Sequence, residues 1–199
     1  MRLRLLVPIA VTTLLVVAKA GVASAAPSRR ARPAPNFVSV CRYSHSAPDD
    51  PIVKPCQPGA AHEHDFLANT STDAASTYAS LQAAASRCAR RGDTAAYWTP
   101  SLQDGGRTVR PSHVRAYYLT AGKDPASIKT VPAGLKVVAG NDGRVVRWAC
   151  VGADTPGIGQ RTVPSCPAGT HLVMRISFPD CWDGANIDSP DHKSHLAYS

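Results

Sequence analysis

The residues best placed to do chemistry are histidines set among aspartates. His62-Glu63-His64-Asp65 comes first. On an extended segment His62 and His64 point one way and Glu63 the other, so two imidazoles can face one ligand. A second set, Asp188, Asp191, His192 and His195, lies near the other end of the chain. Their spacing of three would put His192 and His195 on one face of a helical turn. The two sets hold four of the seven histidines. Brought together, His62, His64, His192 and His195 would make a nitrogen-rich site suited to Zn, Cu or Mn, and water bound there would be activated at neutral pH. A metal-free alternative uses His45 with Asp49 or Asp50, since an imidazole and a carboxylate can pass protons between them. The candidate site is therefore His45, Asp50, His62, His64, Asp188, His192 and His195.

Each feature also has an ordinary reading. Histidines beside Asp and Ser often do no more than hydrogen-bond loop backbone, and short carboxylates favour turns and caps. The acidic residues are 13 aspartates and the lone Glu63, which strengthens that alternative. Known catalytic templates do not fit. HExxH is absent, which excludes a zincin. Gly59-x-x-His62-x-His64 starts like a cupin motif but lacks the glutamate that should follow. A copper brace needs a histidine at the mature N-terminus, where cleavage near Ala25 would leave alanine or proline. Ser44-His45 adjacency says little, because triads assemble in space. Trp98 and Trp182 could stack on sugar rings if exposed, or anchor a core if buried. Phosphate loops, dinucleotide fingerprints and RNP-like motifs are missing.

The elements that must position these residues are mostly strands. Leu172, Met174, Ile176 and Phe178 alternate with polar neighbours. Val114 to Leu119 reads as another strand, and Leu135 to Ala139 with Val145 to Val151 read as a hairpin about Gly140-Asn141-Asp142-Gly143. One helix is expected over Ala74 to Arg91, capped by Ser71, Thr72 or Asp73 and ended by Gly92. On it Tyr78, Leu81, Ala85 and Cys88 form one stripe, turning Cys88 toward the core and a partner sulfur. The expected fold is α+β, a β-rich single domain with one main helix and long loops.

Residues 1–26 read as a secretory signal, with Arg2 and Arg4 ahead of an apolar run and Ala23-Ser24-Ala25 as the cleavage pattern. No later stretch approaches the ~20 apolar residues of a spanning helix, so no stable membrane anchor is expected. Residues 27–35 form a basic Pro/Arg/Ala linker, leaving 36–199 as the domain. Export makes disulfides the default for Cys41, Cys56, Cys88, Cys150, Cys166 and Cys181. Three bonds are expected, and six cysteines allow about 15 pairings. Oligomeric state is not written in the sequence.

Several segments together resemble one family. Phe37 to His45, Asp49 to Val53, His62 to Phe66 with Asn69, Tyr97 to Pro100, Phe178 to Gly184, Asp188-Ser189 and His192 to Tyr198 occur in the order seen in the secreted domain-of-unknown-function nineteen-ninety-six family. Some of its members are joined to WSC-type carbohydrate-binding modules, which implies a place at cell walls or polysaccharides. The resemblance carries no catalytic residues over. Cys56 stands where the family usually has glycine, so a disulfide there would be particular to this chain. Members usually run on past Ala197-Tyr198 through a further cysteine-containing stretch. A C-terminally shortened domain would leave a sheet edge open and one cysteine re-paired or free.

The formal charge of +8 does not describe the domain. From Asn36 onward 16 basic residues face 14 acidic ones, so the excess is +2 and a nucleic-acid partner loses its main support. The sequence points to a secreted protein associated with cell-wall glycan or polysaccharide. It carries a His/Asp site, in one form as a metal-assisted hydrolase. The alternatives are a non-catalytic carbohydrate- or surface-binding module and an extracellular metal-binding protein.

Overall fold

The computed structural model describes residues 37–120, 123–140, 145–152 and 159–199. The expected signal, the expected linker and the expected Gly140–Gly143 turn (beyond Gly140) lie outside the described residues. Among the described residues twelve elements follow one another. They are β1 (Phe37–Ala47), β2 (His64–Ala68), α1 (Tyr78–Ala83), β3 (Ala96–Pro100), β4 (Leu102–Asp104), β5 (Arg107–Val109) and β6 (His113–Tyr118), then a 3-10 turn (Pro125–Ser127), β7 (Val146–Val151), β8 (His171–Ile176), β9 (Cys181–Trp182) and β10 (Leu196–Ala197). β3, β2, β1 and β6 form one antiparallel sheet, with two-stranded pairs β4–β5, β7–β8 and β9–β10 beside it. The β-rich α+β class is as the sequence indicates.

The sheet is built around β2, whose five residues are all buried. Phe66 and Leu67 alternate across it and supply apolar weight to both faces. Much of the rest of the interior is polar: Ser39, Asp49, Asp50, His64, Asp65, Asn69, Thr72, Thr120 and His195 are buried. Most such groups are hydrogen-bonded in folded proteins. Asn69 shows how this is met. Its amide nitrogen donates to the carbonyls of Leu81 at 2.8 Å and Thr94 at 3.0 Å, while its oxygen accepts from the Ser71 amide at 3.0 Å. One side chain thus ties the end of β2 to α1 and to two loops.

Three sequence expectations are corrected. The helix is only Tyr78–Ala83, begun by a capping box between Thr77 and Ser80, and it buries none of its residues. Ala84 turns extended, and residues 86–88 instead bridge to β2 and β1. Cys88 does meet a partner sulfur, Cys41, from that bridge and not from a helical stripe. The expected 135–151 hairpin does not form, because Val146–Val151 pairs with His171–Ile176. Two disulfides are present, Cys41–Cys88 and Cys150–Cys166, while Cys56 and Cys181 are free thiols. Cys56 has φ +56°, a left-handed backbone that glycine adopts without a Cβ clash. Among the described residues no helix is long and apolar enough to cross a membrane.

Candidate functional site

A β-bulge determines which β1 side chains meet β2. Tyr43 pairs with Leu67, but His45 pairs with Phe66, so Ser44 is the extra residue. In an unbulged ladder Ser44 would oppose Phe66, and His45 would oppose Asp65 and turn to the other face. A bulge re-aims side chains in this way. His45 stacks on Phe66 with ring centres 4.9 Å apart, and Phe66 lies 6.0 Å from Trp98, its partner on β3. The ring nitrogens of His45 are both engaged: Nε2 donates to the Thr72 carbonyl at 2.8 Å, and Nδ1 lies 2.9 Å from the Ser44 hydroxyl. That imidazole holds the site's wall in place.

His64 opens β2 two residues before Phe66, on the same side. Its Nδ1 donates to the Asp49 carbonyl at 2.8 Å, which leaves Nε2 as the basic nitrogen. Nε2 lies 4.0 Å from Asp50 Oδ2. Burial pushes the His64 pKa down, although the Asp49 carbonyl opposes this, so the ring is neutral at neutral pH. Asp50 is buried and oriented by its own loop. The amides of Ile52 and Val53 both donate to Oδ1 at 2.8 Å, and Trp98 Nε1 approaches Oδ2 at 3.4 Å. The loop is pinned in turn through Asp49, which accepts from the Gly59 amide at 2.8 Å. His62 is exposed, with its ring centre 4.3 Å from that of His64. A buried carboxylate, a neutral imidazole and a solvent-facing imidazole therefore follow one another outward.

The C-terminal set is organised differently. His195 is 1% exposed, with Nε2 donating to the Lys136 carbonyl at 2.8 Å and Nδ1 2.9 Å from Ser189 Oγ. His192 has φ +57°, so the expected helical turn does not form, and its Nδ1 contacts Asp188 at 2.8 Å. Asp188 also accepts from Lys136 Nζ at 2.9 Å. Partial burial raises its pKa, but the bonds from His192, Lys136 and Ser189 outweigh this and hold it at about 2. Asp191 is held far below the usual carboxylate range, first by the Ser194 amide and then by the Ser189 hydroxyl and Lys193 amide. These residues brace a loop.

Asp50, His64 and His62 come together and His45 joins them through Phe66, whereas Asp188, His192 and His195 are held by local partners. Among the described residues one group of three metal-ligating side chains has atoms within 4.8 Å of one another. It is Cys41, Cys88 and Asp93, and its two sulfurs are bonded to each other. Trp182 is half-buried and its Nε1 donates to the Asn186 carbonyl at 2.6 Å. Sequence reasoning missed Phe66 as the stacking surface and the Asp49 carbonyl as the anchor of His64. The alternation His64-x-Phe66 was the available signal for the first; backbone carbonyls leave none.

The family described as Domain of unknown function (DUF1996) matches residues 50–199. That span includes His62, His64, Asp50 and the whole C-terminal loop. No curated protein and no solved structure matches the chain.

Proposed function

The chain belongs to the DUF1996 family, and on that footing we propose that it is a secreted protein acting on cell-wall polysaccharide through an acid–base site of Asp50, His64 and His62. The observation that carries this reading is the orientation of His64. With Nδ1–H committed to a carbonyl, Nε2 is a base held in one tautomer beside a buried carboxylate. Such positioning is what general acid–base catalysis requires of its base. The outer member, His62, is the group a polymer can reach. It would take a proton from water or a sugar hydroxyl, with His64 and Asp50 behind it stabilising the positive charge that forms. Secretion is supported by the two disulfides, which belong to oxidising compartments. The polysaccharide is supported by the resemblance to family members joined to carbohydrate-binding modules.

Reducing-end release from cellulose, xylan, chitin and β-1,3-glucan tests the reading. The wild-type chain is expected to release ends from at least one of them. His62→Ala and Asp50→Asn should each lower that rate about a hundred-fold or more, the usual contribution of a positioned acid or base. Turnover that survives both replacements unchanged would remove these residues from any mechanism.

A further inference from the structure

The first half of β1, ahead of the bulge, carries a set of charges that the described residues do not neutralise. Arg42 lies opposite His113 of β6, and on its other edge its amide donates to the Arg87 carbonyl at 3.1 Å. Two pairs further along, Val40 lies opposite Arg115 and accepts from the Ala89 amide at 2.8 Å. Two pairs beyond that is Val38 with Tyr117. Side chains alternate across a strand, so these three rows share one face. Cys41, between the first two rows, turns to the other side and bonds Cys88, which clamps residues 87–89 onto β1. Val40, Arg42, Arg87, Cys88 and Ala89 line a shallow depression there.

Arg42, Arg87, Arg115 and His113 are exposed, and Tyr117 is 56% exposed. Like charges set side by side on a sheet destabilise it. None of the three guanidiniums forms an ion pair among the described residues. Arg87 donates to the Tyr43 carbonyl and Arg115 to His113 Nε2, which orients both forks without discharging them. We infer that this face binds an anionic polysaccharide, an inference that rests on the polysaccharide association proposed above. Guanidinium forks match carboxylate or sulfate oxygens in pairs, and an exposed tyrosine ring at the end of the rows suits stacking on a sugar. The balance of 16 basic to 14 acidic residues from Asn36 onward gives the local patch without the overall charge typical of nucleic-acid binders.

The test is calorimetric titration of the full chain with polygalacturonate, dextran sulfate, neutral dextran and an oligothymidylate, in about 50 mM NaCl where screening is weak. At least one acidic polysaccharide should bind about ten-fold or more tighter than neutral dextran, and the tighter of the two identifies the carboxylate or sulfate source. The double replacement Arg42→Gln with Arg115→Gln should reduce that binding about ten-fold without lowering the melting temperature. Tyr117→Ala, measured separately, should weaken it too. Wild-type-like binding by the double variant would overturn the inference, as would no preference over neutral dextran. Tighter binding of oligothymidylate than of either acidic polysaccharide would assign the face to nucleic acid and overturn it too. Acidic polymers that bind while no glycan is turned over would remove the acid–base reading and leave this one standing.

Discussion

Replacing Cys41 and Cys88 together by alanine should lower the stability of the domain by about 4 kcal/mol, from loop-closure entropy at their sequence separation of 47. The Cys150–Cys166 bond closes a separation of only 16, for which the same relation gives about 3 kcal/mol. Backbone hydrogen bonds flank the longer bond: Arg87 donates to Ala68 at 2.9 Å, and residues 87 and 89 pair with 42 and 40 at 3.1 and 2.8 Å. The disulfide therefore acts chiefly on the unfolded chain. Cys41 is fully buried, so the lost sulfur contact adds to the effect and does not reverse the order. For a chain of this size 1 kcal/mol moves the melting temperature by about 2–4 °C. The expected shifts are then roughly 8–16 °C for the first pair and roughly 6–12 °C for the second. Urea midpoints should be compared in a Cys56→Gly background, where the exposed free thiol cannot exchange with either bond. A loss from Cys150→Ala with Cys166→Ala that equals or exceeds the loss from the longer loop would refute the reasoning.

Further outcomes follow from the same structure. Cys56→Gly should by itself stabilise the domain by about 1 kcal/mol, because it relieves a left-handed cysteine; a lower melting temperature would contradict this. His64 titrates below its ordinary value, first because of burial, so its contribution is complete above about pH 6.5 and is lost as pH falls below it. The fall in the urea midpoint between about pH 7 and pH 5 should be smaller in His64→Gln than in wild type, and an equal fall would exclude His64 as its source. Asp188 is held at about 2, so its contribution is present above the ordinary carboxylate range and vanishes as pH drops toward that value. Asp188→Asn should cost no more than about 1 kcal/mol for this partly exposed pair, and should leave glycan turnover intact.

Two strands are legible because alternation survives in short segments: His113–Tyr118 and His171–Ile176 lie within a few residues of where the pattern puts them. The helix was overextended because Ala74 to Arg91 has helix-forming composition throughout. A tertiary demand won over that propensity, since residues 86–88 must bridge to β2 and β1 for Cys88 to reach Cys41. The grouping of His45, Asp50, His62 and His64 was half visible, because all four precede or open β2. Their link depends on the bulge at Ser44 and on the Asp49 carbonyl, which residue types do not encode. The C-terminal histidines carried a spacing that suggested a helix, but His192 takes a left-handed backbone and Asp191 gathers the amides of Lys193 and Ser194 into a turn instead.

Nitrogen-15 NMR of the histidine rings tests the central claim most directly. The account predicts that His64 at pH 7 is neutral, carries its proton on Nδ1, and changes its Nε2 resonance when an oligosaccharide of the turned-over glycan is added. His64 protonated on Nε2, charged at pH 7, or insensitive to that oligosaccharide would contradict it.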